Sequence, residues 1–209
     1  LPSASFASDS MYAHPASLPP IDWASYHNYT EMVTILLALN ETYPNVVDVF
    51  SIGKSWENRD IYCVRLTNER NSLPKPEVFF VGYHHAREPI TAELTLYFVV
   101  YAATNFGINA TLTALLNRSR IYVVIALNVD GFDLFQANDW QRKNARPTDE
   151  DYDGRIDEDP PEDENNDGFI EQLFNETEGG RLIRWEGIDN DGDGEYAEDW
   201  IGGVDLNRN

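Results

Sequence analysis

The sequence predicts an α/β fold, a mixed, mostly parallel sheet flanked by helices of the kind in which helices cover the faces of the sheet, with an acidic loop region inserted near its end. Three observations predict it. Short β-branched and aromatic runs alternate with longer segments whose apolar residues recur at helical spacing. The run Val78-Phe79-Phe80-Val81 lacks the polar alternation of a half-solvated strand and reads as a buried one. A hydrophobic content of 42%, with 12% aromatic residues, is ample for a core in 209 residues.

Residues 1–21 are rich in Ser, Ala and Pro and lack periodicity, so they are expected to be a flexible segment without chemistry, ahead of a domain over residues 22–209. Tyr29 to Leu39 carries apolar residues at helical spacing and ends near Pro44. Val46 to Gly53 and Ile61 to Leu66 are strands joined by the polar turn Trp56-Glu57-Asn58-Arg59, hence a hairpin. Cys63, in the second of these strands, is the only cysteine; it excludes an intrachain disulfide and a thiolate zinc cluster, and its apolar surroundings predict a packed, inert thiol.

After the strand Val78 to Val81, Pro89 suits the first position of a helix that runs to about Asn105, before Gly107. A shorter helix from Asn109 to Leu116 leads into a strand from Ile121 to Leu127. Sites in such sheets form beyond the carboxyl ends of the strands, where His85 and Asn128 fall. The apolar run Leu94 to Ala103 is about half of what a bilayer crossing needs, so no membrane span is expected. The chain opens on Leu1 without a signal segment, so any targeting peptide is expected to have been removed or to lie outside this sequence. Asn28, Asn40, Asn109, Asn117 and Asn175 stand in glycosylation sequons, meaningful only in a eukaryotic secreted protein.

The net charge of −21 is local. Between Pro147 and Asp199 there are 21 acids against Arg155, Arg181 and Arg184, a net of −18; the rest holds 36 − 21 = 15 acids and 15 − 3 = 12 bases, a net of −3. Nucleic acid is excluded as a partner by repulsion, and the local concentration points to cation binding. Within this insertion, residues 148–199, Asp-x-Asp/Asn-x-Asp-Gly recurs three times, at Asp149, Asp151 and Asp153, at Asp163, Asn165 and Asp167, and at Asp189, Asp191 and Asp193. Oxygen side chains at alternate positions before a glycine turn are how a calcium loop is built, so calcium is the expected cofactor of this segment. The bidentate Glu of a full loop is absent: its positions hold Pro160, Phe174 and Trp200, and Asp157, Asp159, Glu171 or Asp199 would have to substitute.

The chemistry centres on His85-Ala86-Arg87-Glu88, where an imidazole and a carboxylate three residues apart can close on one Zn²⁺ and leave room for water. His84, on the opposite side of an extended backbone, is expected to pack rather than ligate. Asn207-Arg208 can clamp a carboxylate, Arg being suited to this by its planar fork.

These residues, followed in order by Asn128-Val129-Asp130-Gly131, Arg142-Lys143-Asn144 and Gly203-Val204-Asp205-Leu206-Asn207-Arg208-Asn209, resemble the zinc carboxypeptidases of the carboxypeptidase A and T type. The opening helix and the turn Gly53 to Arg59 resemble that family's opening as well. The resemblance covers about Asp22 to Arg146 and resumes at Gly203; Val129 replaces the family's usual proline, and Gln141 separates Trp140 from the Arg-Lys pair, so Arg146 is an alternative to Arg142. It implies hydrolysis of the C-terminal peptide bond of a peptide or protein substrate. His85 and Glu88 would be zinc ligands, Arg142 would polarise the scissile carbonyl, and Arg87, Asn207 and Arg208 would bind substrate.

The family's third zinc ligand, a histidine, and its general base fall beyond the Asn-Arg-Asn block. None of His14, His27 and His84 matches the missing ligand, so these 209 residues alone are expected to bind zinc poorly and to be inactive, as the N-terminal part of a catalytic domain, exported from the cell. Two other readings are a non-catalytic, calcium-stabilised extracellular module on the same fold, and a related zinc amidohydrolase or deacylase.

Overall fold

The computed structural model describes residues 18–136, 141–149, 152–197 and 203–208. His14, Trp140, Asp151, Asp199 and Asn209 lie outside the described residues. The chain divides into two compact units, the first made of residues 1–54, 60–83 and 88–129, the second of residues 55–59, 84–87 and 130–209.

The first unit is a helix-covered sheet. Helix α1 (Tyr29–Thr42) starts at a reciprocal cap: the Asn28 side chain accepts the Glu31 N–H at 3.0 Å while the Glu31 carboxylate accepts the Asn28 N–H at 2.8 Å. Its buried face is Met32, Ile35, Leu36 and Leu39. Strands β1 (Val47–Lys54) and β2 (Asp60–Leu66) form the expected hairpin. Strand β3 (Glu77–Val81) leads to α2 (Ile90–Asn105), which buries Ala92, Leu96, Val99, Ala102 and Ala103. Helix α3 (Ala110–Arg118), capped by the Asn109 side chain on the Leu112 N–H, leads to β4 (Arg120–Val124). Helix α1 touches β1 and α2, and α2 touches β2 and β4, so the core lies between these helices and the central strands. Cys63 is buried there, and burial pushes its thiol pKa up, as expected of an inert thiol.

The sheet order is β1-β2-β4-β3. It is mixed, as expected, but the parallel share is smaller than the alternation of strands and helices suggested. Among the described strands only β3–β4 is parallel, because β2 arrives by a hairpin and pairs antiparallel on both sides. Strand β3, expected to be buried, leaves Val78, Phe79 and Phe80 at 42%, 61% and 48% exposure, because among the described strands it has a neighbour on one side only.

Beyond its last strand residue β3 stays registered with β4: Gly82 N–H bonds to Val124 O, Leu127 N–H to Gly82 O and Asn128 N–H to Tyr83 O, at 2.9, 3.0 and 2.9 Å. Gly82 permits this approach, since a Cβ there would meet Ile125 O at 2.7 Å and Thr91 O at 2.9 Å. The wholly buried Tyr83 then takes φ 52°, a left-handed turn rare for a bulky residue, immediately before the two histidines.

The second unit contains α4 (Gly131–Gln136) and, inside the acidic segment, a hairpin of β5 (Gln172–Asn175) and β6 (Arg181–Trp185). This hairpin has no counterpart among the expected elements. Glu186 ties it to the second Asp-x-Asn loop: its backbone carbonyl accepts Glu162 N–H, and its carboxylate accepts the N–H groups of Asn165 and Glu171. Residues 206–208 form a turn. No single described helix is long and apolar enough to cross a membrane.

Candidate metal and substrate site

The second unit gathers its chemistry around two fixed points. The first is Asp130, 2% exposed, whose carboxylate accepts Ser55 Oγ–H at 2.7 Å, Glu57 N–H at 3.2 Å and an Arg59 guanidinium N–H at 3.0 Å. Arg59 also pairs with Asp133 and Glu57. Burial by itself would lower the Arg59 pKa; Asp133, Glu57 and Asp130 outweigh it and hold it above its ordinary value. The turn Ser55 to Arg59 and the block Asn128 to Gly131, which only family resemblance had linked, are thus bonded to each other.

The second fixed point is Asn144. Its N–H donates to Val204 O at 3.0 Å, its carbonyl accepts Gly203 N–H at 3.2 Å, and its Oδ1 accepts the N–H groups of Val204 and Arg146. Gly203 is required at this crossing, because a Cβ would lie 2.1 Å from Thr148 Oγ1 and 2.2 Å from Arg146 O. The Arg-Lys-Asn block thereby holds the segment leading to Asn207 and Arg208. Gln141, the insertion that blurred the alignment, takes the Arg87 N–H on its backbone carbonyl at 3.1 Å.

His85 is 6% exposed. Its Nε2 is 3.1 Å from Asp205 Oδ1 and 3.1 Å from the terminal guanidinium nitrogen of Arg142. Arg142 Nε is in turn 3.1 Å from Asp205 Oδ2, an ion pair. Arginine can only donate, so Nε2 cannot both accept from Arg142 and donate to Asp205. The carboxylate is the better acceptor for both groups, so Nε2 carries a proton and Nδ1 is the nitrogen that offers a lone pair when the ring is neutral. Burial pushes the Asp205 carboxyl pKa up, but the Asn207 N–H and the charges of Arg142, His85 and Arg208 overcome this and hold it below its ordinary value.

Arg208 sits one turn from this carboxylate: its N–H bonds to Asp205 O at 3.0 Å, and the Asn207 N–H to Asp205 Oδ1 at 3.0 Å. The side chains of Arg87, Asn207 and Arg208 are exposed. Arg146 lies over the Trp56 ring, 5.6 Å from its centroid, so Arg142 is the arginine at His85. Glu88 belongs to the first unit, where its carbonyl caps the start of α2 by accepting Thr91 N–H and Oγ–H. His27 is committed to Glu93, with N–H and Nδ1 at 2.7 and 2.9 Å from the two carboxylate oxygens. Among the described residues no group of three or more candidate metal ligands includes His85. Asp205 and Asn144 are the residues that motif reading missed; their alternation with Asn207 and Arg142 was visible, but their contacts span distant segments.

In the acidic segment the repeats close on themselves. In each Asp-x-Asp/Asn-x-Asp-Gly repeat the first carboxylate closes its own loop, with Asp149 on the N–H groups of Tyr152 and Gly154, Asp163 on those of Asp167 and Gly168, and Asp189 on those of Gly192 and Gly194. Of the expected calcium ligands, Asp153, Asp189 and Asp191 enter convergent groups of acids, in company with Glu158 and Asp159; Asp149, Asp163, Asp167 and Asp193 enter none among the described residues, and the Asn165 side-chain oxygen accepts the Asp167 N–H.

Residues 32–209 match the family model described as zinc carboxypeptidase. Carboxypeptidase D of Anas platyrhynchos is 27% identical over 66% of this chain and 10% of its own length. A zinc carboxypeptidase of Saccharothrix mutabilis subsp. capreolus is 32% identical over 61% of this chain and 30% of its own length. Among solved structures, thrombin activatable fibrinolysis inhibitor superposes with a TM-score of 0.57 at 28% identity, over 63% of this chain and 32% of that one. Carboxypeptidase A from Helicoverpa armigera gives 0.51 at 32% identity, over 59% and 30%. The chain thus spans a third or less of these proteins' lengths. A family model that takes in both the His-x-x-Glu block and the Asn-Arg turn, on a fold shared with solved carboxypeptidases, establishes that this chain belongs to the zinc carboxypeptidases.

Proposed function

We propose that this chain carries the first part of a metallocarboxypeptidase site that removes the C-terminal residue of peptides or proteins. The observation that carries this reading is the grip of Asp205 on His85 with Arg142 beside both. A carboxylate on the far nitrogen of a histidine fixes its tautomer and raises its basicity, the support usual for a zinc-bound imidazole. His85 would ligate through Nδ1 with Glu88 as second ligand, a donor set that fits zinc. When bound, the ion supplies a Lewis acid and a water of lowered pKa. Arg208 and Asn207 would hold the substrate's free carboxylate, Arg87 would contact the substrate, and Arg142 would donate to the scissile carbonyl as negative charge builds on its oxygen.

The 209 residues alone would bind zinc weakly and turn over no substrate, because two ligands and no general base are at hand. Calcium in the acidic segment, and export to a compartment where calcium is plentiful, belong to the same reading. The test is calorimetry with excess calcium present. Zinc is expected to bind this chain more weakly than micromolar, and a tighter one-site isotherm would overturn the ligand shortage. A peptide with a free C-terminus should bind better than its amide, and Arg208→Ala should erase the difference. Equal binding of acid and amide would sink the carboxypeptidase assignment.

A further inference from the structure

The geometry points to one buried Ca²⁺ site formed by Asp159, Asp189 and Asp191, joining two stretches of the acidic segment that are 30 residues apart, and it is independent of the zinc chemistry although it rests on the calcium reading of that segment. Asp159 belongs to none of the three Asp-x-Asp repeats, yet among the described acids of the segment it is the one that is wholly buried, at 0% exposure. Its Oδ1 accepts Asn190 N–H at 2.7 Å; its Oδ2 is buried with no hydrogen-bond partner. A buried carboxylate oxygen left so is costly unless a cation answers it.

One oxygen from each of the three aspartates lies within 4.8 Å of the others. That is the widest separation two oxygens can have when each sits about 2.4 Å from a common ion, the distance typical of calcium. Asp189 and Asp191 keep lone pairs for this purpose: the Asp189 oxygens each accept one N–H, from Gly192 and Gly194, and Asp191 Oδ1 accepts the Asp193 N–H. Asp191 is shared with a second group, Asp153 and Glu158. The two groups therefore bring five carboxylates together. Arg155 pairs with Asp191 from a largely solvent-exposed position. The wholly buried, unanswered Asp159 oxygen beside Asp189 and Asp191 calls for a divalent ion. An all-carboxylate donor set selects a hard ion over zinc, and three aspartates carried on loops suit the flexible oxygen coordination of Ca²⁺ better than the strict octahedron of Mg²⁺.

Bound there, the ion would tie residues 157–159 to residues 189–191 and close the base of the excursion that carries the β5–β6 hairpin. The second repeat offers an internal control, since Asp163 serves only the N–H groups of its own loop.

The test is calcium and magnesium titration of the full chain in chelator-treated buffer with zinc held constant, read by calorimetry and by melting temperature. Asp159→Asn is expected to remove one equivalent of bound Ca²⁺ or weaken it at least tenfold, and to abolish the calcium-dependent rise in Tm; Asp163→Asn should leave this class of sites intact. In chelator, Asp159→Asn should melt no lower than the wild type, which separates a lost ligand from a broken fold, and Asp191→Asn should give the same calcium phenotype. Unchanged stoichiometry and affinity in both variants would overturn this site while leaving calcium binding elsewhere in the segment standing. No binding by the wild type at millimolar calcium would overturn both.

Discussion

Asp130 and Asp159 are both buried aspartates of the same unit, and the chain treats them differently. Asp130 receives a hydroxyl, a backbone N–H and a guanidinium, so its charge is answered inside the protein. Asp159 receives one backbone N–H and faces two more carboxylates. The first arrangement is complete when the chain folds, whereas the second is complete only when solution supplies an ion. Desolvating a carboxylate costs several kcal/mol in either case; what differs is who provides the counter-charge.

The largest effect should come from breaking the self-sufficient case. Asp130→Ala leaves the Arg59 guanidinium without its buried partner and is expected to lose about 3–5 kcal/mol in denaturant unfolding, with or without calcium. A loss that vanished on adding calcium would erase the distinction between the two aspartates. Next, Gly203→Ala drives a methyl into Thr148 Oγ1 and Arg146 O, and should cost roughly 1–3 kcal/mol by thermal melting while loosening the turn that presents Asp205.

Asp205 is an intermediate case, a partly buried carboxylate answered by Arg142 and by an imidazole that has work of its own. Asp205→Asn keeps the shape but removes the charge and the control over the His85 tautomer. Zinc affinity, measured by direct titration of the chain with zinc in calorimetry, should fall about 10–100-fold with little change in melting. Unaltered affinity would show that Asp205 is a structural partner only.

The smallest effect belongs to a buried charge answered by neutral groups. Lys75, 9% exposed, donates to Thr67 Oγ1 at 2.7 Å and to Asn68 O at 2.8 Å. Burial pushes its pKa below 10.5; Glu69 opposes this and Arg120 adds to it. Because the folded value lies below the unfolded one, the charged lysine costs stability at neutral pH, and the cost is relieved as pH rises through the folded value. The stability difference between wild type and Lys75→Met should therefore shift in favour of wild type as pH rises from neutral toward 10.5, and a shift in the other direction would contradict the assigned direction.

How far this could be read beforehand follows from the range of the interactions. Helices α1, α2 and α3 and the β1–β2 hairpin were legible because their apolar spacing, Pro89 and the polar turn at residues 56–59 are local signals. The blocks carrying His85, Arg142 and Arg208 were legible because each is contiguous. The bonds that make them a site were not: His85 to Asp205 spans 120 residues and Val204 to Asn144 spans 60, and no local pattern encodes either. In the acidic segment the charge density itself misled, since it hid the short apolar runs of β5 and β6 and drew attention to repeats whose carboxylates mostly close their own loops. Asp159, outside every repeat and one of four acids that could have completed a loop, is set apart from Asp157 and Glu171 by its burial.

The crossing at Asn144 and Gly203 has one more consequence. It joins the two ends of the insertion directly, so whatever lies between them is a closed loop whose length has little leverage on the rest of the unit. Closure entropy grows only logarithmically, by about 0.6 kcal/mol per doubling, so replacing some 50 residues by a handful would change it by about 2 kcal/mol. Lineages could trim, extend or exchange this acidic excursion as a cassette, and the arginine turn downstream of it would keep its place.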